Sequence, residues 1–234
     1  MLSRITVLVL AVALPALAAC GNTSSGLKSG PAAVSTTGTG WKVYRPDGGG
    51  YSFELPPAWR TVDASAIADA GGLSKYAEGH PEMQALAKNF SAILHTPGTL
   101  MGLDMSDAGR AVIAHTKFAP NVLVRRIDLQ STGSDAAALD QIQAGVQQAV
   151  AALPGGGHPT SISHISMAGL AAESFSYHVQ VSTSVAAKLD AVEVDSFTVK
   201  DGVAYSLSCT STADDYPRIQ SVCNHAVSSF ALTG

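Results

Sequence analysis

Between Phe175 and Cys209 the chain alternates apolar and polar residues so regularly that it has few ways to fold. Phe175, Tyr177, Val179 and Val181 alternate with Ser176, His178 and Gln180, a period of two that suits a strand with one buried and one wetter face. Val192 and Val194 are out of phase with Phe197 and Val199, and a change of face within one strand predicts a bulge near Asp195-Ser196. Asp201-Gly202 is a two-residue hairpin signal, after which Val203, Tyr205, Leu207 and Cys209 share a face. The period then changes: Ile219, Val222, Cys223, Ala226, Val227 and Phe230 recur at helical spacing, with Asp214 and Asp215 at the positive end. Strands joined by tight turns and closed by a helix predict an α+β fold, an antiparallel β-sheet with helices packed on it.

The first half of the chain fits the same class. Trp41 to Tyr44 and residues 51–55 have period-two patterning around Pro46-Asp47-Gly48-Gly49-Gly50, which predicts a hairpin. Pro56-Pro57 stops the second strand, and Trp59 follows at once. Residues 81–94 read as a helix with Met83, Leu86, Phe90, Ile93 and Leu94 on one face. Residues 100–105 and 121–129 read as strands. Ser134 is placed to cap a second helix, whose apolar stripe is Leu139, Ile142, Val146, Ala149, Val150 and Leu153. Pro154 and three glycines end it.

The N-terminus is of another kind. Arg4 is the only charge before residue 20, and residues 5–17 are almost wholly apolar. That run is too short to cross a bilayer, which takes about 20 residues, and it reads as a secretory signal. Leu17-Ala18-Ala19-Cys20 resembles the lipobox of bacterial lipoproteins. The resemblance implies cleavage before Cys20, a diacylglyceryl group on its thiol and attachment to the outer face of the cell membrane. The following segment is mostly Gly, Ser, Thr and Ala, a composition that reads as a flexible tether. The expected organisation is therefore a signal at 1–19, lipidated Cys20 with its tether over 20–38, and one domain over 39–234.

Fourteen Lys and Arg against 18 Asp and Glu give a net charge of −4. No basic cluster exceeds Arg125-Arg126, so nucleic acid is not an expected partner. With Cys20 taken by the anchor, Cys209 and Cys223 remain, fourteen residues apart on apolar faces. In an oxidising compartment they read as a structural disulfide. The alternatives are two buried thiols or a redox pair, though the Cys-x-x-Cys spacing of the latter is absent.

Two stretches carry a family resemblance. "YSFELPPAWRTVD" resembles the strand–Pro–Trp opening of PsbP-like domains, and "DGVAYSLSCTSTADDYPRIQSVCNHAVSSFAL" resembles their ending. "LMGLDMS…FAPNVLVRR" resembles the LpqN-type lipoproteins of actinobacteria. The resemblance implies a PsbP-like α/β/α sandwich that acts as a binding or scaffolding subunit, and no catalytic residues carry over from it.

The residues themselves suggest little chemistry. No His-Glu-x-x-His, Gly-x-Ser-x-Gly or phosphate-cradling glycine loop occurs. The seven histidines, at 80, 95, 115, 158, 164, 178 and 225, show no converging metal-ligand spacing. No metal, cofactor or catalytic residue is therefore assigned. Trp41 and Trp59 read as cover for the core edge rather than as ligand-stacking residues. Asp104 and Asp107 read as a polar turn rather than a working carboxylate pair. The expected function is a lipid-anchored, non-enzymatic envelope module that meets a protein, glycan or lipid. The alternative is an envelope hydrolase or metal-dependent enzyme whose site is assembled from distant residues.

Overall fold

The computed structural model describes residues 33–36, 40–63, 96–129, 133–153, 159–181, 183, 186 and 188–233. The expected signal, Cys20 and the helix expected over 81–94 lie outside the described residues. The described chain forms two antiparallel sheets and three helices.

The smaller sheet contains β1 (Ala33–Thr36), β2 (Lys42–Arg45), β3 (Tyr51–Leu55) and β11 (Ala231–Leu232), in the order β1-β2-β3-β11. The larger contains β4 (Trp59–Asp63), β5 (Leu100–Asp104), β6 (Asn121–Asp128), β7 (Ser161–Met167), β8 (Leu170–Val181), β9 (Leu189–Lys200) and β10 (Val203–Thr212). Its order is β4-β5-β6-β10-β9-β8-β7, antiparallel throughout. Helices α1 (Asp107–Thr116), α2 (Asp135–Ala151) and α3 (Tyr216–Ser228) complete the set. One face of the larger sheet is covered by α2, through Leu139, Ile142, Val146 and Val150. The other face carries α3 and the smaller sheet. This is the α+β sandwich expected from the patterning.

Local chemistry explains most of the element boundaries. Ser134 Oγ accepts the Ala137 N–H at 3.2 Å and opens α2 as expected. Asp135 then accepts the N–H groups of Asp201 and Gly202 at 3.0 and 3.2 Å, which ties the start of α2 to the β9–β10 turn. That turn has φ of 52° and 76° at Asp201 and Gly202, the left-handed pair a type I′ hairpin requires. Between the sheets, Tyr51 stacks on Phe230 with centroids 5.3 Å apart, and Tyr205 meets both rings edge-on. The buried Tyr51 hydroxyl donates to the Gly98 carbonyl at 3.0 Å.

Several expectations are corrected. The expected bulge near Asp195-Ser196 is absent: β9 pairs without interruption with β10 over 191–200 and with β8 over 189–198. Both faces of β9 are covered, so Val192 serves one layer while Phe197 and Val199 serve the other. The smaller sheet begins at Ala33, inside the span expected as tether, where Ala33–Thr36 pairs with Lys42–Arg45; Val and Thr in this stretch favour extended backbone. Asp104 and Asp107 do bound a polar turn, in which Asp104 Oδ1 accepts the Ser106 N–H at 2.9 Å, but the turn also opens a helix. Asp107 is the first residue of α1, whose cap Ser106 accepts the Gly109 N–H at 3.1 Å. Asp104 is buried, and its other carboxylate oxygen serves another element.

Asp104 anchors α3. Its Oδ2 lies 2.6 Å from the Arg218 guanidinium, which also holds Asp215 through two bonds of 2.7 and 2.9 Å. Ser211 donates to Asp215 at 2.8 Å, so the β5 end, the β10 end and the first turn of α3 share one ion network. Partial burial pushes the Asp215 carboxyl up, but the bonds from Arg218 and Ser211 outweigh it and hold the carboxyl below its usual range. Gly109 fits beside this site because a Cβ there would strike Asp104. Removing one partner of a buried pair strands the other charge. Arg218→Ala should therefore lower the unfolding free energy by about 3 kcal/mol, the lower end of the usual range because Arg218 is partly exposed, as read from urea denaturation. A loss under 1 kcal/mol would show that the network contributes little.

Candidate functional site

Strands β8, β9 and β10 separate two unlike environments. Residues 194, 196, 207 and 209 face α3, while 193, 195, 206 and 208 face the α2 side, as the alternation of a strand requires.

On the α3 side lies a half-open cleft of about 190 Å³. Its floor is Val194, Ser196, Leu207 and Ser174, and its wall is α3 through Asn224, Val227 and Ser228. Ser196 Oγ donates to Ser174 Oγ across the strands at 3.3 Å. No charged side chain lines the cleft, and apolar surface prevails in it. Cys209 and Cys223 form one side. Their sulfurs are bonded, with Cα atoms 6.0 Å apart, within the span of a disulfide. The bridge fixes α3 against β10, and a loop of this length contributes about 3 kcal/mol in the chain-entropy account. The cleft thus has a wall that is covalently held to its floor. Such a site can receive a neutral, largely apolar group.

On the opposite side, Glu193 and Asp195 are 1% and 2% exposed and share the sheet face of Phe197. Tyr177 donates to Asp195 Oδ2 at 2.6 Å. Both Glu193 carboxylate oxygens, Asp195 Oδ1 and Ser208 Oγ have no hydrogen-bond partner among the described residues. Burial pushes the Glu193 carboxyl well up, and Asp195 beside it pushes the same way. Burial also raises Asp195, against the bond from Tyr177, the nearby Ser208 hydroxyl and the charge of Arg125. Arg125 is itself buried, with Nε donating to Ser206 Oγ at 3.3 Å. The pair binds protons more tightly in the folded chain than in the unfolded one. The patterning holds a trace of this cluster: the spacing Glu193, Asp195, Phe197, Val199 puts two acids on an apolar face, where the phase change was read as a bulge.

The remaining sequence-derived candidates do not converge. Arg126 points outward to Asp128 at 2.6 Å, on the side opposite Arg125. His164, His178 and His225 each face one carboxylate: Glu173 at 2.6 Å, Asp190 at 3.1 Å and Glu54 at 2.8 Å. His115 lies in the last turn of α1, and His80, His95 and His158 fall outside the described residues. Among the described residues no group of three His, Cys, Asp or Glu is placed to hold a metal ion. Trp59 lies in the core, and Trp41 stacks on the His225 ring with centroids 3.7 Å apart.

No family model matches the chain, and no curated protein matches it either. Solved structures do. The solution structure of cyanobacterial PsbP (CyanoP) from Synechocystis sp. PCC 6803 is similar at 15% identity over 92% of this chain and 98% of that one, with a TM-score of 0.43. LpqN of Mycobacterium tuberculosis, described as involved in cell envelope biogenesis, is similar at 11% identity over 79% and 83%, with a TM-score of 0.48. PA94 of Pseudomonas aeruginosa, a protein of unknown function, aligns over 47% and 69% at 17% identity, with a TM-score of 0.38. The first two bear the names of the families that the sequence motifs resemble, and no residue role transfers at these identities.

The acid pair fixes the sign of a pH effect. Its carboxyls hold protons in the folded state that the unfolded chain releases near pH 4. Their contribution to stability is therefore full below that pH and declines as pH rises toward the folded values, by up to about 1.4 kcal/mol per unit per group. Glu193→Gln removes one such group. The difference in unfolding free energy between pH 5 and pH 8 should fall in this variant, by about 1 kcal/mol or more. Urea titrations at the two pH values measure it, and an unchanged or larger difference would contradict the assignment.

Proposed function

We propose that this chain is an extracytoplasmic lipoprotein, anchored at Cys20, whose domain is a non-enzymatic binding module with the α3 cleft as its receiving face. The cleft carries the reading: it is half-open and mainly apolar, it is lined by hydroxyl and amide groups without a charge, and its wall is fixed by the Cys209–Cys223 bridge. A preformed cavity with few polar groups binds without first paying an ordering cost. Support for the anchor is the apolar run ending in Leu17-Ala18-Ala19-Cys20. None of the helices in the described residues is long and apolar enough to cross a membrane.

Two measurements test the two halves of the proposal. Radiolabelled palmitate should enter the wild-type chain and not Cys20→Ala, and equal labelling would end the lipoprotein reading. The neutral apolar dye N-phenyl-1-naphthylamine should gain fluorescence on binding the domain. Val227→Trp, which fills the cleft from α3, should weaken that binding about tenfold, a change of about 1.4 kcal/mol, with the melting curve kept. Undiminished dye binding in a folded variant would move the binding face elsewhere.

A further inference from the structure

A second concavity lies away from the cleft, where β4 and α1 begin. It is an open groove of about 650 Å³, with Pro57, Trp59 and Met105 along it and Arg60 and Arg110 among its lining side chains. We propose that this groove docks the domain onto the phosphates of an anionic phospholipid surface. The proposal rests on the lipid-anchored reading, which keeps a membrane within reach of the domain.

Charge and shape carry the argument. Trp59 is 5% exposed, so it serves as backing rather than as an inserted wedge. The Arg110 guanidinium is held at the groove by two contacts, to the Met105 carbonyl at 2.8 Å and to Asp107 Oδ1 at 2.6 Å. Asp107 is almost fully exposed, with 98% of its side chain in solvent. An ion pair in that setting is weak and screened, so a phosphate can share the guanidinium. A third cation stands at the lip: Lys42, on β2, donates from Nζ to the Pro57 carbonyl at 3.2 Å. Among the described residues, Arg60, Arg110 and Lys42 thus bring positive charge to the groove beside the Asp107 carboxylate, on a chain whose net charge is −4. The N-terminal end of α1, capped by Ser106, adds its positive dipole on the same side. The groove is broad and shallow, suited to headgroups presented in a layer rather than to the enclosure of one free anion. An acyl anchor and a basic patch together hold a membrane more firmly than one chain does.

Vesicle sedimentation tests the docking without the anchor, so its failure is distinct from a failure of palmitate labelling. The chain from residue 20 carrying Cys20→Ser should bind vesicles of equal phosphatidylglycerol and phosphatidylcholine, and pure phosphatidylcholine about a hundredfold less at low salt. Binding should weaken in 500 mM sodium chloride. Arg60→Gln with Arg110→Gln should lower it at least tenfold while the melting curve is kept. Arg110→Gln or Lys42→Gln alone should each lower it severalfold, which covers the case in which the double variant folds poorly. Equal binding to both vesicle types, or undiminished binding by the folded variants, would overturn the proposal. So would tight binding of hexaglutamate or inorganic phosphate without vesicle binding, which would assign the groove to an acidic protein or a free anion.

Discussion

Strand β10 is paired on both edges and buried on both faces, and the rest of the domain is arranged around that constraint. Its neighbours are β6 and β9, and from Ala204 to Thr212 every residue is buried. A strand in that position needs two covering layers. One is α2, started by Ser134 and tied to the β9–β10 turn by Asp135. The other is α3 with the smaller sheet. α3 is held at one end by the Asp104–Arg218–Asp215 network and in its middle by Cys223. Helix propensity contributes little to this placement, since a helix of 13 residues is marginal by itself in water. Tertiary attachment fixes it, and the cleft exists because the attachment is firm.

The same constraint makes the acid pair costly. A central strand leaves Glu193 and Asp195 no route to solvent, and Arg125 is the nearest cation from β6. One guanidinium does not satisfy two carboxylates at this depth, so protonation is the cheaper outcome. The cost falls on the α2 side, while the α3 side of the same strands is neutral. The cleft and the acids are back to back, separated only by the thickness of the sheet.

How much of this was legible depends on what each element buries. β8, α2 and α3 have a clean apolar period because each has one strongly buried face, and β10 keeps one because its second buried face carries Ser206 and Ser208, so the patterning locates all four. α1 buries only Gly109 fully, so its apolar face is shallow, and its clearest signal is the Ser106 cap. β7 is an edge strand with exposed residues through most of its length, and its Ser-Ile-Ser-His run lacks the contrast that marks a half-buried strand. β4 begins one residue after two prolines, and its buried residues include Asp63, which breaks the alternation. β9 misled for the opposite reason: two covered faces produce a phase change that resembles a bulge. Cys209 and Cys223 were legible as a pair because both sit on apolar faces. The cleft beside them was not, since a cavity is set by where α3 comes to rest and not by either element's own pattern.

The smaller sheet links these features to the N-terminus. β1 pairs with β2, β2 with β3, and β3 with the C-terminal β11. Tyr44, Tyr51, Phe53 and Leu55 of this sheet share one core with Ile219, Cys223 and Ala226 of α3. The described chain therefore begins in the layer that packs beside the cleft wall, not on the α2 side. Lys42, at the lip of the basic groove, belongs to that layer as well. A displacement of the smaller sheet would reach α3 through the shared core. The α2 face, with the buried acids beneath it, lies across the larger sheet from that layer. A change in the smaller sheet therefore has a direct packing route to the cleft, whereas a change at the acid pair acts on the stability of the whole domain.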